Sequence, residues 1–184
     1  ERLLETPGVA VARATEVTAM MADDSVNGLI KSFGLFENYD AKLADEIRDL
    51  EGRVDTYEDA LGSYLVKITS TDMNEKDSRQ ITKLLHMISD LERISDHSVN
   101  VVEAVEELRE KKLAFSETAM NEVHILQAAI TDILTKTKEN PFGTPRFAVA
   151  AAMSCWSDEM EMVSRKLESG YAEMLYTVDA EANE

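Results

Sequence analysis

Two carboxylate pairs, Glu51 with Asp55 and Glu92 with Asp96, stand four residues apart amid stretches patterned by apolar residues. Residues i and i+4 lie on one side of an α-helix about a turn apart, so each pair presents two oxygen donors in one direction. At about 100° of rotation per residue, Ile81, Leu85, Ile88, Asp96, Val99 and Glu103 all project within about 40° of Glu92, so carboxylates share a face with aliphatic side chains. Over residues 40 to 69 the stripe Leu43, Ile47, Leu50, Val54, Tyr57, Leu61, Leu65 and Ile68 steps by three or four, and Glu51, Asp55 and Glu58 line one edge of it. An unpaired carboxylate taken out of water costs several kcal/mol and takes up a proton or finds a partner. Two such groups on facing helices call for a cation between them. Oxygen ligands suit magnesium, calcium, manganese or ferric iron, and a carboxylate set also accepts zinc. The expected metal ligands are Glu51, Asp55, Glu92 and Asp96, with Glu58, Asn100 and Glu103 as outer ligands. The Glu-x-x-x-Asp spacing arises readily in an acidic chain, however. The residues therefore leave a second reading open, in which Arg53, Arg93 and nearby lysines neutralise these groups as ordinary ion pairs.

Other chemistry is sparse. His97 projects about 140° from Glu92 and is expected to meet solvent or another helix, while His86 and His124 read as surface residues. Cys155 is the only cysteine, which excludes an intrachain disulfide and a thiolate metal site within one chain. Its neighbours Asp158 and Glu159 are the opposite of what a reactive thiol needs. No Ser/His/Asp or Cys/His arrangement stands out, and no glycine-rich loop would cradle a phosphate. The expectation is a protein that is not an enzyme and uses no organic cofactor.

The elements that must position the carboxylates are helices. Glycine and proline number seven and three in 184 residues, and Ala, Glu, Leu, Met and Val recur throughout. The pattern predicts an all-α chain, an antiparallel bundle of about five long helices in a single domain over 1–184. Thr6-Pro7 opens the first, with the threonine capping, and it runs to about Phe36; the second spans about 40 to 69. Ser70-Thr71-Asp72 offers cap chemistry for a third that reaches about Lys112. Ser116 caps a fourth to about residue 138, with Val123, Leu126, Ile130, Ile133 and Leu134 inward, and a fifth is expected over 145 to 178. Gly52 and Ser95, beside the motifs, are small residues expected to let helices approach closely. Thirty-six acidic against nineteen basic residues give a formal net charge of −17, which disfavours binding to nucleic acid or to an anionic membrane surface. No apolar run approaches the length of a membrane span, and no signal-peptide pattern is present. The sequence begins without methionine, so it reads as a soluble fragment whose missing part would hold any membrane segments.

The stretch Leu91-Glu92-Arg93-Ile94-Ser95-Asp96-His97-Ser98-Val99-Asn100-Val101-Val102-Glu103 resembles the signature of PhoU-like domains, and Leu50-Glu51-Gly52-Arg53-Val54-Asp55 resembles the companion motif on the preceding long helix of that family. The opening Glu1-Arg2-Leu3-Leu4-Glu5-Thr6-Pro7-Gly8-Val9-Ala10 further resembles the segment that enters the carboxy-terminal PhoU-like domain of bacterial sodium/phosphate cotransporters. The likeness covers about residues 1 to 138. It implies a PhoU-like three-helix unit plus additional helices, acting as a regulatory domain on the cytoplasmic side of the inner membrane, with Glu51, Asp55, Glu92 and Asp96 at the metal-motif positions. The membrane transporter portion of the same chain is the implied partner, with a second copy of the chain as another. Residues 139–184 diverge: Asp158, Glu159 and Glu161 form no second Glu-x-x-x-Asp motif, so one cluster is expected instead of two. Two alternatives compete with this reading. One is a free-standing PhoU-type adaptor that represses phosphate uptake and signalling; the other is a carboxylate-bridged metalloenzyme, which would need inward histidine ligands.

Overall fold

A computed structural model of the chain describes residues 6–70 and 73–139. Among them it is all-helical: α1 (Pro7–Phe33), a 3₁₀ turn over Gly34–Phe36, α2 (Ala41–Thr69), α3 (Glu75–Glu110) and α4 (Glu117–Glu139). The fifth helix expected over 145 to 178 lies outside the described residues, as do Cys155, Asp158, Glu159 and Glu161.

Local chemistry explains where each helix begins. Pro7 has no amide hydrogen to leave unsatisfied in a first turn, and it forces the preceding residue towards extended backbone. Thr6 accordingly sits at φ −133° and makes no side-chain cap, contrary to expectation; its backbone carbonyl instead accepts from the Val9 and Ala10 amides at 2.9 and 3.1 Å. Asp40 caps α2 by accepting from the Lys42 amide at 2.9 Å. The cap of α3 is Asn74, which accepts from the Asp77 amide at 2.9 Å, and not the segment starting at Ser70. Ser70 is already engaged in closing α2, its hydroxyl donating to the Lys67 carbonyl at 2.7 Å. Ser116 caps α4 as expected, accepting from the Ala119 amide at 3.2 Å. α3 ends in a Schellman closure: the Leu113 amide donates to Leu108 O at 2.9 Å and the Lys112 amide to Arg109 O at 3.1 Å. Lys112 occupies the left-handed position of that closure at φ 57°.

Helices α1, α2 and α3 bury one another's apolar stripes, with Met21, Ile47, Val54, Leu65, Ile68, Ile81, Leu84, Val101 and Val102 essentially inaccessible to solvent. Each such side chain contributes about 1.5–3 kcal/mol through burial. Cross-links define the directions. Asp24 meets Arg53 and Lys31 meets Glu46, so α1 and α2 run antiparallel. Arg48 meets Glu106 while Gly62 lies beside Ile88, so α2 and α3 do as well. All three helices come together at Gly28, where a Cβ would stand 3.5 Å from Ser98 Oγ and 3.8 Å from Leu50 Cβ. Gly52 does not serve close approach: nothing lies within 4 Å of the place its Cβ would take. It projects about 160° from buried Val54, towards solvent.

α4 lies against α1 and buries Ile130 and Leu134, while Val123, Leu126 and Ile133 stay partly accessible. Gln127 Nε2 donates to the Phe33 carbonyl at 3.5 Å, and the Phe36 and Phe115 rings meet with centroids 5.9 Å apart. His124, expected at the surface, keeps a side chain 42% exposed and places Nε2 3.2 Å from a Glu37 carboxylate oxygen.

Candidate metal centre

Burial of Leu50 and Val54 on α2 turns Glu51 and Asp55 one step round, to the edge of the apolar stripe, and burial of Ile94 and Ser95 on α3 does the same for Asp96. Antiparallel packing brings those edges together. One carboxylate oxygen from each of Glu51, Asp55 and Asp96 lies within 4.8 Å of the other two, with Glu51 and Asp96 half-buried and Asp55 exposed. Glu92 joins through a hydrogen bond to Asp96, and Glu58 is near enough to act on Glu92.

The electrostatics are those of crowded acids. Glu51 is raised above the usual carboxylate range, first by burial and then by the charges of Asp55 and Asp96. Glu92 is pushed up to about 7 by burial, by the charge of Asp96 and the hydrogen bond to it, and by Asp55 and Glu58. Near neutrality Glu92 therefore holds a proton part of the time, the usual outcome when carboxylates cannot all ionise together.

No basic side chain answers these acids among the described residues. Arg53 reaches across to Asp24 on α1 at 3.0 Å instead. Arg93 acts on His97, whose pKa burial lowers first and Arg93 second, against an opposing effect of Asp96. The ion-pair arrangement left open by the sequence is not the one the structure holds. His97 is not part of the three-oxygen group; its Nδ1 lies 3.5 Å from Asn100 Nδ2. Asn100 thus faces His97, and Glu103 is exposed and outside the group.

The donors fit a hard cation. Metal–oxygen distances of about 2.0–2.6 Å keep the oxygens of one coordination sphere about 3–5 Å apart, so three oxygens within 4.8 Å match a single ion. A bound ion would supply the positive charge that these carboxylates lack.

One assembly on the same seam escaped sequence reasoning. Glu106 accepts from Tyr39 Oη at 2.8 Å and from an Arg48 guanidinium nitrogen at 2.6 Å, and Arg109 lies 4.1 Å over the Tyr39 ring. The Arg48 contact, foremost, holds Glu106 below the usual carboxylate range. Spacing held a signal for it: Arg48 precedes Glu51 by three residues and Glu106 follows Glu103 by three, so each extends a carboxylate edge.

Residues 18–105 match the PhoU domain, a segment that takes in all of α2, most of α1 and α3, and the five carboxylates of the seam. No curated protein and no solved structure matches the chain.

Proposed function

We propose, from the premise that residues 18–105 form a PhoU-like domain, that this chain is the cytoplasmic regulatory domain of a sodium-dependent phosphate transporter. On this reading it holds a metal ion between α2 and α3 and catalyses no reaction. A role in regulating phosphate transport is supported by the match of residues 18–105 to the PhoU domain. The observation that carries the metal is the meeting of Glu51 and Asp55 from one helix with Asp96 from another, inside the matched segment and without a basic partner among the described residues. Glu92 completes the set, giving up its proton when the group takes a cation, and Glu58 stands beside it. Iron, manganese, magnesium, calcium and zinc are all compatible with oxygen donors. Attachment to a transporter at the inner membrane is supported by the likeness of Glu1–Ala10 to the segment that joins the membrane part of such proteins to their PhoU-like domain. No described helix is long and apolar enough to cross a membrane, so the spanning portion would be contributed by other sequence.

Metal analysis of the purified protein beside a variant with Glu51, Asp55, Glu92 and Asp96 all changed to alanine tests the ion. Stoichiometric metal in the first and none in the second is expected; equal content in both removes the site. Recovery of the full reading frame tests the attachment. Membrane-spanning sequence upstream is expected, whereas a start codon shortly before Glu1 would favour the free-standing adaptor.

A further inference from the structure

We propose that Glu106, clasped by Arg48 and Tyr39, is a positioning residue for the carboxylate group, holding α2 and α3 in the register at which Glu51, Asp55 and Asp96 converge. The inference rests on the reading that this group takes a cation.

Like charges on Glu51, Asp55, Glu58, Glu92 and Asp96 push the two helices apart at that level, and no basic residue there draws them together among the described residues. Interdigitated apolar side chains hold the helices in contact and limit sliding, and a charged contact adds to that a directional restraint at its own level. A register shift by one turn moves side chains 5.4 Å along the axis, more than the 4.8 Å that now contains the three oxygens.

The Glu106 clasp is directional. Its two oxygens are used separately, one by Tyr39 in the connector before α2 and one by Arg48 within α2, so the contact fixes both height and rotation. Arg109 covers the Tyr39 ring and holds it in place from α3. Glu106 lies ten residues beyond Asp96, about 15 Å along the helix. That is too far to ligate the same ion, and it exceeds the Debye length of about 8–10 Å. The Glu106 charge itself therefore has little direct effect on ion affinity, and the route assigned to it is helix register.

The test is isothermal titration with Mn²⁺ at physiological salt of the full 184-residue chain, its Tyr39→Phe and Glu106→Gln variants, and the exchange Arg48→Glu with Glu106→Arg. Glu106→Gln should weaken Mn²⁺ about tenfold and Tyr39→Phe about threefold. The exchange keeps net charge and should recover most of the loss. Unchanged affinity in Glu106→Gln overturns the proposal. So does an exchange variant as weak as Glu106→Gln, because an ion pair restored between α2 and α3 would then not restore the site. A Glu106→Gln protein that loses helicity leaves the decision to Tyr39→Phe, which removes one hydroxyl and keeps the ring under Arg109; no loss there overturns the proposal. A wild-type chain that takes up no Mn²⁺ defeats the ion itself and this inference with it, an outcome distinct from equal binding by wild type and variants.

Discussion

The metal-free domain should lose stability as pH rises from 5 to 8, and Glu92 should be the main cause. Its folded-state pKa is about 7 against an ordinary 4.5. Between those values the folded chain holds a proton that the unfolded chain has released. Linkage then gives a stabilising contribution that is fully present below pH 4.5 and lost as pH passes through 7. At full effect the loss between pH 5 and 8 is roughly 2.5 kcal/mol. The carboxyl is only half-buried, and discounting for solvent screening leaves about 1 kcal/mol. Glu51, raised for the same reasons, acts in the same direction. Glu106 does not interfere: its lowered pKa stabilises above the ordinary value and is lost as pH falls below it, outside this window. His97, lowered by burial, acts in the opposite direction within the window, and the comparison of wild type with Glu92→Gln cancels it. The assay is urea denaturation of chelator-treated protein at pH 5, 6, 7 and 8, for wild type and Glu92→Gln. Glutamine keeps a hydrogen-bond donor for Asp96 and cannot ionise, so the stability difference between the two proteins should move by about 1 kcal/mol across the series. A saturating divalent cation should reverse the slope, since protons then compete with the ion and binding stabilises the folded state by mass action. A difference between wild type and Glu92→Gln that stays constant from pH 5 to 8 would refute the assignment of a raised pKa to this carboxyl.

Three further substitutions follow from local geometry. Gly52→Ala fills open space on an exposed helical face, so urea midpoints should rise by the equivalent of about 1 kcal/mol with metal content unchanged; a loss of stability would mean that the motif needs glycine after all. Lys112→Gly relieves a left-handed residue at the end of α3 and should stabilise by about 1 kcal/mol, read in the same melts, with destabilisation counting against the closure described. Ser95 Oγ is buried without a hydrogen-bond partner among the described residues. Ser95→Ala should therefore raise stability by up to about 1 kcal/mol, and a drop of similar size in thermal melts would show that the hydroxyl has a partner, such as a bound water.

Period alone made much of this fold legible. The stripe from Ile47 through Ile68 sits where spacing put it, because a helix that buries one face must repeat apolar residues every three or four positions. Caps were less legible. Thr6 and Ser70 have the right chemistry, but a proline constrains the first and the end of α2 employs the second. The carboxylate edges followed from projection angle; their lack of basic partners did not. Arg53 is adjacent in sequence to the motif acids and was a natural partner for them, yet it projects about 100° from Val54 on the side away from Asp55 and pairs with Asp24 on another helix. A projection gives direction around one axis and says nothing about height along a neighbouring one. Whether an acid meets a base or another acid therefore depends on register, and contacts that report register, such as Arg48 with Glu106, join residues more than fifty apart in the chain. The consequence for the seam is physical. One level is neutralised by the chain's own guanidinium, while the adjacent level of acids, held at the same register, has no such counter-charge among the described residues.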